Sequence, residues 1–433
     1  MTTSTSRPSA PPADHRLDVG ADLGSLKARF PLLAREIDGA PLHYLDSANT
    51  SQKPVDVIEA MDHFTTTSYA PINRSAYRLA AEATDAFEAA RARVARFVNA
   101  GNPDEIVFTK NATEALNVVA QSWGGAHLGA GDVVLLTHME HHANIVPWHI
   151  MATRQGIELR WVPLTTDGQL DLTDLDHLLD GAKVFAFSAM SNVLGTINPV
   201  ADLCAAAHTA GALAVVDACQ YVPHNVTDVQ AWDADFAAFS SHKMCGPSGI
   251  GALWGRAELL DATPPFLGGG NMIADVRVDG YTPAPVPAKF EAGTPPIVEA
   301  IGFGAAVDFL NGVGMERVHA HERQLTAYAL DTLTDRFGDE IRVHGPTNPT
   351  ERGGMLSFEF RDLHPHDVSQ VLDQRNVCVR AGHHCAKPLM RVLGAAATVR
   401  ASWYLYNDRC DIDAMADALD SASDIFGLPT PRT

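Results

Sequence analysis

The stretch FAAFSSHKMCGPSGIG, residues 236–251, decides how this chain is read. Its first four residues are apolar on both faces, as in a strand whose sheet is covered on both sides. Ser240, Ser241, His242 and Lys243 follow at once, and then a turn rich in Gly and Pro. The same texture recurs upstream in EIVFT (105–109), VVLLT (133–137), LRWVPL (159–164), VFAFSA (184–189) and LAVVDA (213–218). Helix-like stretches separate these runs. Glu82 to Ala100 sets Phe87, Ala90, Arg91, Val94, Phe97 and Val98 at helical spacing, and Thr113 to Trp123 reads as a second helix. The pattern predicts βαβ units around a mostly parallel sheet, an α/β fold. Ligands of such sheets bind beyond the carboxyl ends of the strands, so the polar residues after each run carry the functional information.

Beyond Gly268 the texture changes. GGGNMIADVRVDGYTPAPVPAKFEAGTPP (268–296) reads as a long irregular connection, and a helical pattern runs from Val298 to Phe337. A smaller α/β block follows, with strands at IRVHG (341–345), GMLSFEF (354–360), VCVR (377–380) and TVRASW (398–403). The expected organisation is a disordered tail over 1–22, a large domain over 23–300 and a small domain over 301–433.

Composition fits this reading. The chain has 433 residues, and 32 basic against 52 acidic residues give a net charge of −20. With 46% hydrophobic and 19% charged residues it has the makeup of a globular protein, not a disordered one. The acidic balance and the lack of a basic run argue against nucleic acid or an anionic membrane as partner. No apolar run reaches 18 residues, so no membrane span is expected. The tail has no apolar core like that of a secretion signal. Six scattered cysteines form neither a disulfide framework nor a zinc pair, which places the chain in a reducing cytoplasm.

Each strand end admits a structural and a functional reading. Thr113 begins a helix, where free N–H groups cap the chain or hold a phosphate. His138, His141 and His142 are core or surface residues, metal ligands, or a flat ring for an aromatic cofactor. Ser191 and Asn192 follow VFAFSA, and Asp217 and Gln220 follow LAVVDA. Asp217 is a strand-end cap or the partner of a buried cation such as a protonated ring nitrogen. Lys243 is a snorkelling lysine or a desolvated nucleophile toward an aldehyde. Together the functional readings are the parts a protein supplies to pyridoxal 5'-phosphate.

At this point a family resemblance becomes visible. The segments YLDSANTSQKP (44–54), FTKNATEALN (108–117), MEHHANIVPW (139–148), SNVLGTINP (191–199), VDACQ (216–220), FSSHKMCGPSGIG (239–251), GGGNMIA (268–274), FEAGTPP (290–296), RAGHHCAKPLM (380–390) and RASWYLYN (400–407) resemble the SufS-type cysteine desulfurases. These belong to the class V aminotransferase family, with the fold type I architecture of pyridoxal phosphate enzymes. The resemblance spans Leu23 to Gly427. It implies that Lys243 carries the cofactor, His141 stacks on its ring, Asp217 pairs with the ring nitrogen and Gln220 meets the phenolic oxygen. It assigns the phosphate to Thr113, Ser240 and His242, with Thr294 reaching the phosphate of the other subunit of a homodimer. It assigns the substrate carboxylate to Asn192 and Arg400, and places Arg380 beside them.

Cys385 completes the set. It lies in a loop-like Ala381-Gly382-His383-His384-Cys385-Ala386, where two histidines and Arg380 favour a thiolate. Cys245 is the rival, and the other cysteines sit in helical or strand patterns. The resemblance implies that Cys385 takes sulfur from L-cysteine as a persulfide, leaves L-alanine, and passes the sulfur to a SufE-like or SufU-like acceptor for iron–sulfur cluster assembly. HPHDVSQVLD (364–373) resembles the SufU-dependent subtype, which makes His366 the residue expected to meet the acceptor's zinc. One departure is Asn73-Arg74-Ser75-Ala76-Tyr77, where the family often carries H-R-G-x-H. The competing readings are a selenocysteine lyase, another class V lyase or aminotransferase, and a metal-binding or sulfur-carrier protein without catalysis.

Overall fold

The computed structural model describes residues 23–73 and 75–425. The tail expected over 1–22 and Arg74 of the divergent segment lie outside the described residues.

Seven strands form the main sheet: β1 (Ile106–Thr109), β2 (Val133–Thr137), β3 (Glu158–Val162), β4 (Ala182–Ser188), β5 (Leu213–Asp217), β6 (Phe236–Ser240) and β7 (Gly251–Gly255). Their order is β1-β7-β6-β5-β4-β2-β3. All neighbours pair in parallel except β7, which runs antiparallel between β1 and β6. The continuous apolar runs are explained by burial on both faces. Val133, Leu135, Phe185 and Phe187 enter one core, and Val134, Leu136, Val184 and Ala186 enter the other. The first core is closed by α1 (Val55–Thr67), α2 (Arg78–Phe97) and α5 (Ile297–Val313). The second is closed by α3 (Ala112–Asn117), which continues through a π-helical Val118–Trp123, and by α4 (Val146–Gln155).

Four antiparallel strands form a second sheet in the order β10-β11-β13-β12, with β10 at Ile341–His344, β11 at Met355–Phe360, β12 at Arg380–Gly382 and β13 at Thr398–Ser402. Its core joins Leu356 and Phe358 to Leu325, Leu330 and Leu333 of α6 (Met315–Phe337) and to Ile412, Met415 and Leu419 of α9 (Arg409–Ile425). Leu45, from far upstream, belongs to this core too. Two short helices, α7 (Pro365–Asp373) and α8 (Lys387–Leu393), precede and follow β12 in the chain.

The structure corrects four local expectations. Gly251, the last residue of the stretch read as a Gly- and Pro-rich turn, instead opens a strand, β7, that runs through GALWG. Gly251 is required because a Cβ there would lie 2.8 Å from Asn111 Cα and from the Phe239 carbonyl oxygen. The helix expected over 298–337 is two helices bent by 73°, because Gly314 adopts φ +91° and ends α5. The irregular connection contains a hairpin, β8 (Ile273–Arg277) and β9 (Gly280–Pro283). VCVR divides: Val377–Cys378 pairs in parallel with His43–Tyr44, and Arg380 starts β12. No single helix among the described residues is long and apolar enough to cross a membrane.

Candidate active site

The polar residues that follow the parallel strands meet in one cavity of about 200 Å³. Thr113 enters it from the start of α3, His141 from the turn after β2, Asn192 from the turn after β4, and Asp217 and Gln220 from the end of β5. Ser240, His242 and Lys243 enter from the end of β6.

The end of the cavity where α3 begins is built from backbone geometry. Asn111 caps the helix, its Oδ1 accepting the Glu114 N–H at 3.0 Å, and Ser240 Oγ accepts the Ala112 N–H at 2.9 Å. Gly251 lies between these two elements, paired with both Thr109 and Ser240. Its missing side chain lets the helix start approach the end of β6.

Burial sets the protonation of the cavity's titratable groups. His141 Nδ1 accepts the Ala143 N–H at 3.0 Å, which leaves the ring proton on Nε2. Burial, reinforced by the charge of Lys243, pushes its pKa down to about 3, so it is a neutral ring. His242 is pushed down to about 4 by burial and by Lys243 and Lys53. Asp217 is 6% exposed, and its Oδ1 accepts the Cys219 N–H at 3.0 Å. Burial raises its pKa, and Lys243 opposes the shift. No ion pair engages Asp217 among the described residues. Gln220 donates from Nε2 to the Ala48 carbonyl at 2.7 Å, while its Oε1 is buried without a partner. A buried acid without a paired cation, an unsatisfied amide, a neutral imidazole and a lysine amine fit the polar edge of pyridoxal phosphate.

Cys385 does not line this cavity but is held beside it. The backbone N–H of His142 donates to the Cys385 carbonyl at 2.7 Å, and the Lys387 N–H donates to His142 Nε2 at 3.0 Å. Asn192 Nδ2 donates to the His384 carbonyl at 2.7 Å. His384 and Cys385 have φ of +49° and +56°, left-handed values that are uncommon outside glycine. Arg400 is 2% exposed and donates to the Asn192 carbonyl at 2.7 Å. Burial lowers its pKa, with Asp46 opposing. Arg380 pairs across the ladder with Arg400.

Two expected residues lie elsewhere in this chain. Thr294 lines a separate cavity of about 420 Å³ with Phe108, Phe290 and Pro295. His366 is exposed at the start of α7, in a surface groove with Cys378. The cysteines also differ from their pattern-based reading. Cys204 and Cys245 are buried, but Cys219 lines the cavity and Cys410 is exposed. Of the clustered histidines, His138 stacks on Trp161 at 5.7 Å, outside the cavity.

The sequence matches the Aminotransferase class-V family over residues 43–415. The chain belongs to that family. A probable cysteine desulfurase of Streptomyces coelicolor is 48% identical to it over 94% of this chain and 98% of its own. The apo cysteine desulfurase of Thermococcus onnurineus superposes with a TM-score of 0.88 at 38% identity, covering 93% of this chain and 98% of that one. The Escherichia coli cysteine desulfurase CsdA, in an S-sulfonic acid form, gives 0.85 at 37% identity, with 93% and 99% covered. Sequence reasoning missed Asn49, Ser188 and Cys219 in the cavity wall and the support Asp46, while His142, singled out with the clustered histidines, supports the cysteine loop and does not line the cavity. Asn49 and Asp46 were visible only as members of the YLDSANTSQKP segment, without a local pattern pointing to a role.

Proposed function

We propose that this member of the class-V aminotransferase family is a pyridoxal phosphate-dependent cysteine desulfurase of the SufS type, forming L-alanine and a persulfide on Cys385. One observation carries the reading: a lysine, a buried acid and a neutral imidazole share one cavity, and a cysteine loop is bonded to two of its edges. The bound cofactor supplies an electron sink for charge left at the substrate's α-carbon.

The chain's own residues do the rest. Lys243 holds the cofactor and moves the α-proton at Nζ. Asp217 keeps a proton on the ring nitrogen, His141 covers the ring face and assists proton transfer, and Gln220 serves the phenolic oxygen. Thr113, Ser240 and His242 hold the phosphate with the helix N–H groups, and Thr294 serves the second copy in a homodimer. Asn192, Arg380 and Arg400 receive the substrate carboxylate. The Cys385 thiolate attacks the substrate sulfur. The new S–S bond forms as the C–S bond breaks, and the carbon fragment keeps the electron pair and takes a proton to become alanine. In this reading residues 23–300 hold the cofactor and 301–433 carry the cysteine loop.

The persulfide sulfur then passes to an acceptor protein for iron–sulfur cluster assembly in the cytoplasm. His366, exposed at the start of α7, suits a zinc-bearing SufU-like acceptor. Mixing the enzyme with such an acceptor tests this: His366→Ala abolishes the stimulation if the assignment holds, and leaves it intact if not.

The activity itself is tested by a visible spectrum with alanine detection. The purified protein should be yellow and sensitive to borohydride, Lys243→Ala should lose the absorbance, and Cys385→Ser should keep it but release no sulfur from cysteine. A serine variant that desulfurates normally overturns the role of Cys385.

A further inference from the structure

Arg380 and Arg400 stand directly opposite each other on β12 and β13, so their cationic side chains share one face of the small sheet. Like charges in that position repel. Asp46 lies between them, with Oδ1 3.4 Å from Arg400 Nη2 and Oδ2 3.9 Å from Arg380 Nη1. Its backbone is fixed by a parallel bridge to Ser402 at the end of β13 and by the Asn49 N–H, which donates to the Asp46 carbonyl at 3.1 Å. Asn49 in turn lines the cavity.

The charges do not balance. Two guanidinium groups face one carboxylate, which leaves a net positive site. Arg400 has committed Nη1 to the Asn192 carbonyl at 2.7 Å and Nη2 to Asp46, while its Nε is buried and has no partner. A buried donor with no acceptor is costly, so this fork is one carboxylate short. Asp46 holds Arg400 through its Nη2 and leaves the Nε edge for an incoming anion.

We infer that Asp46 is a positioning residue that sets how tightly the enzyme holds amino-acid carboxylates. It neutralises half of the paired arginine charge, orients the Arg400 fork, and by its own negative charge keeps the product carboxylate from binding too tightly. The inference rests on the desulfurase reading, since it takes L-alanine as the product. It differs from a packing role in the sign of its effect: removing the charge strengthens binding of a carboxylate, whereas a packing loss weakens it.

Calorimetric titration of the cofactor-loaded enzyme with L-alanine and with L-alaninamide, which lacks the carboxylate, tests this. Asp46→Asn is expected to bind L-alanine about five- to tenfold more tightly, from the loss of one nearby like charge, with no change for the amide. Steady-state kinetics should show KM for L-cysteine falling while kcat falls as product release slows. Asp46→Ser, which removes the charge with a smaller side chain, shifts affinity in the same direction and serves if the first variant does not fold. Unchanged or weaker L-alanine binding in the folded variants overturns the inference. Wild-type enzyme that neither binds L-alanine nor forms it overturns the desulfurase reading instead.

Discussion

The backbone N–H of His142 donates to the carbonyl oxygen of Cys385 across 2.7 Å. The residue next to the cavity-lining His141 thereby holds the cysteine loop. Its side chain grips the same loop a second time, through the Lys387 N–H on Nε2. The double grip matters because His384 and Cys385 both sit in left-handed backbone conformations, each worth of order 1–3 kcal/mol of strain for a non-glycine residue. Such a loop keeps its shape only while its surroundings enforce it.

Removing the side-chain half of that grip should separate cofactor chemistry from sulfur transfer. His142→Ala is expected to leave the visible absorbance unchanged and to slow single-turnover alanine formation about tenfold. That corresponds to the ~1.4 kcal/mol of a good hydrogen bond. Alkylation of Cys385 by iodoacetamide should become faster as the loop loosens. An unaltered turnover rate would show that the backbone bond alone suffices.

Gly251→Ala addresses the end of the cavity where α3 begins. The added Cβ would lie 2.8 Å from Asn111 Cα and from the Phe239 carbonyl oxygen, both backbone atoms that cannot step aside cheaply. The start of α3 must shift away from β6, which separates Thr113 from Ser240 and His242. Overpacking of this kind costs about 1–3 kcal/mol. Cofactor retention measured by dialysis should fall at least tenfold with the overall fold retained by circular dichroism, and full retention would mean that the cradle tolerates the displacement.

What the sequence disclosed and what it withheld follow from range. Asp217 and Lys243 were legible because an apolar run followed by a polar residue is a local pattern, and the sheet then gathers such residues without further information. β7 was not legible, because Gly251 is a contact requirement imposed by Asn111, 140 positions earlier, and glycine reads locally as a turn. The break at Gly314 was hidden by helical spacing that continues on both sides of it. Asp46 meets Arg400 across 354 positions and His142 meets Lys387 across 245, so nothing near either residue marks its role.

The anchor of the FEAGTPP segment offers a stability test. Arg91 is 1% exposed and grips Glu291 with two bonds, Nη1 to Oε1 at 2.6 Å and Nη2 to Oε2 at 2.9 Å. Glu291 also accepts the Phe108 N–H at 2.7 Å, which ties the segment carrying Thr294 to β1. Glu291→Ala leaves a buried guanidinium with the Ile106 carbonyl at 2.8 Å and, as its carboxylate partner, only the half-exposed Glu88 among the described residues. Breaking a buried pair costs about 3–5 kcal/mol, and the lower end is expected here. Urea unfolding should show a midpoint shift of that size, and a shift below about 1 kcal/mol would mean that Glu88 and water replace the lost partner.

Buried neutral histidines make the fold sensitive to acid. Burial holds His141 and His384 near pKa 3 and His242 near 4. An unfolded imidazole titrates at about 6.5, so the unfolded chain binds these protons first. The stability of the neutral rings is therefore complete above about pH 6.5 and is lost as pH falls toward the folded values. Glu140 works against this. Burial pushes it up to about 7 despite bonds from Thr137, Asn144 and Ser188, so the native state takes its proton before the unfolded chain does. The buried acid Asp217 shifts the same way. Between pH 7 and about 4.5 Glu140 offsets part of the loss, and below about 4.5 the unfolded chain protonates it too, so the offset stops growing. Urea unfolding of the cofactor-free protein should show stability falling gently from pH 6.5 to 4.5 and steeply below that. A profile that is flat down to pH 4 would mean that the three imidazoles are protonated in the native state.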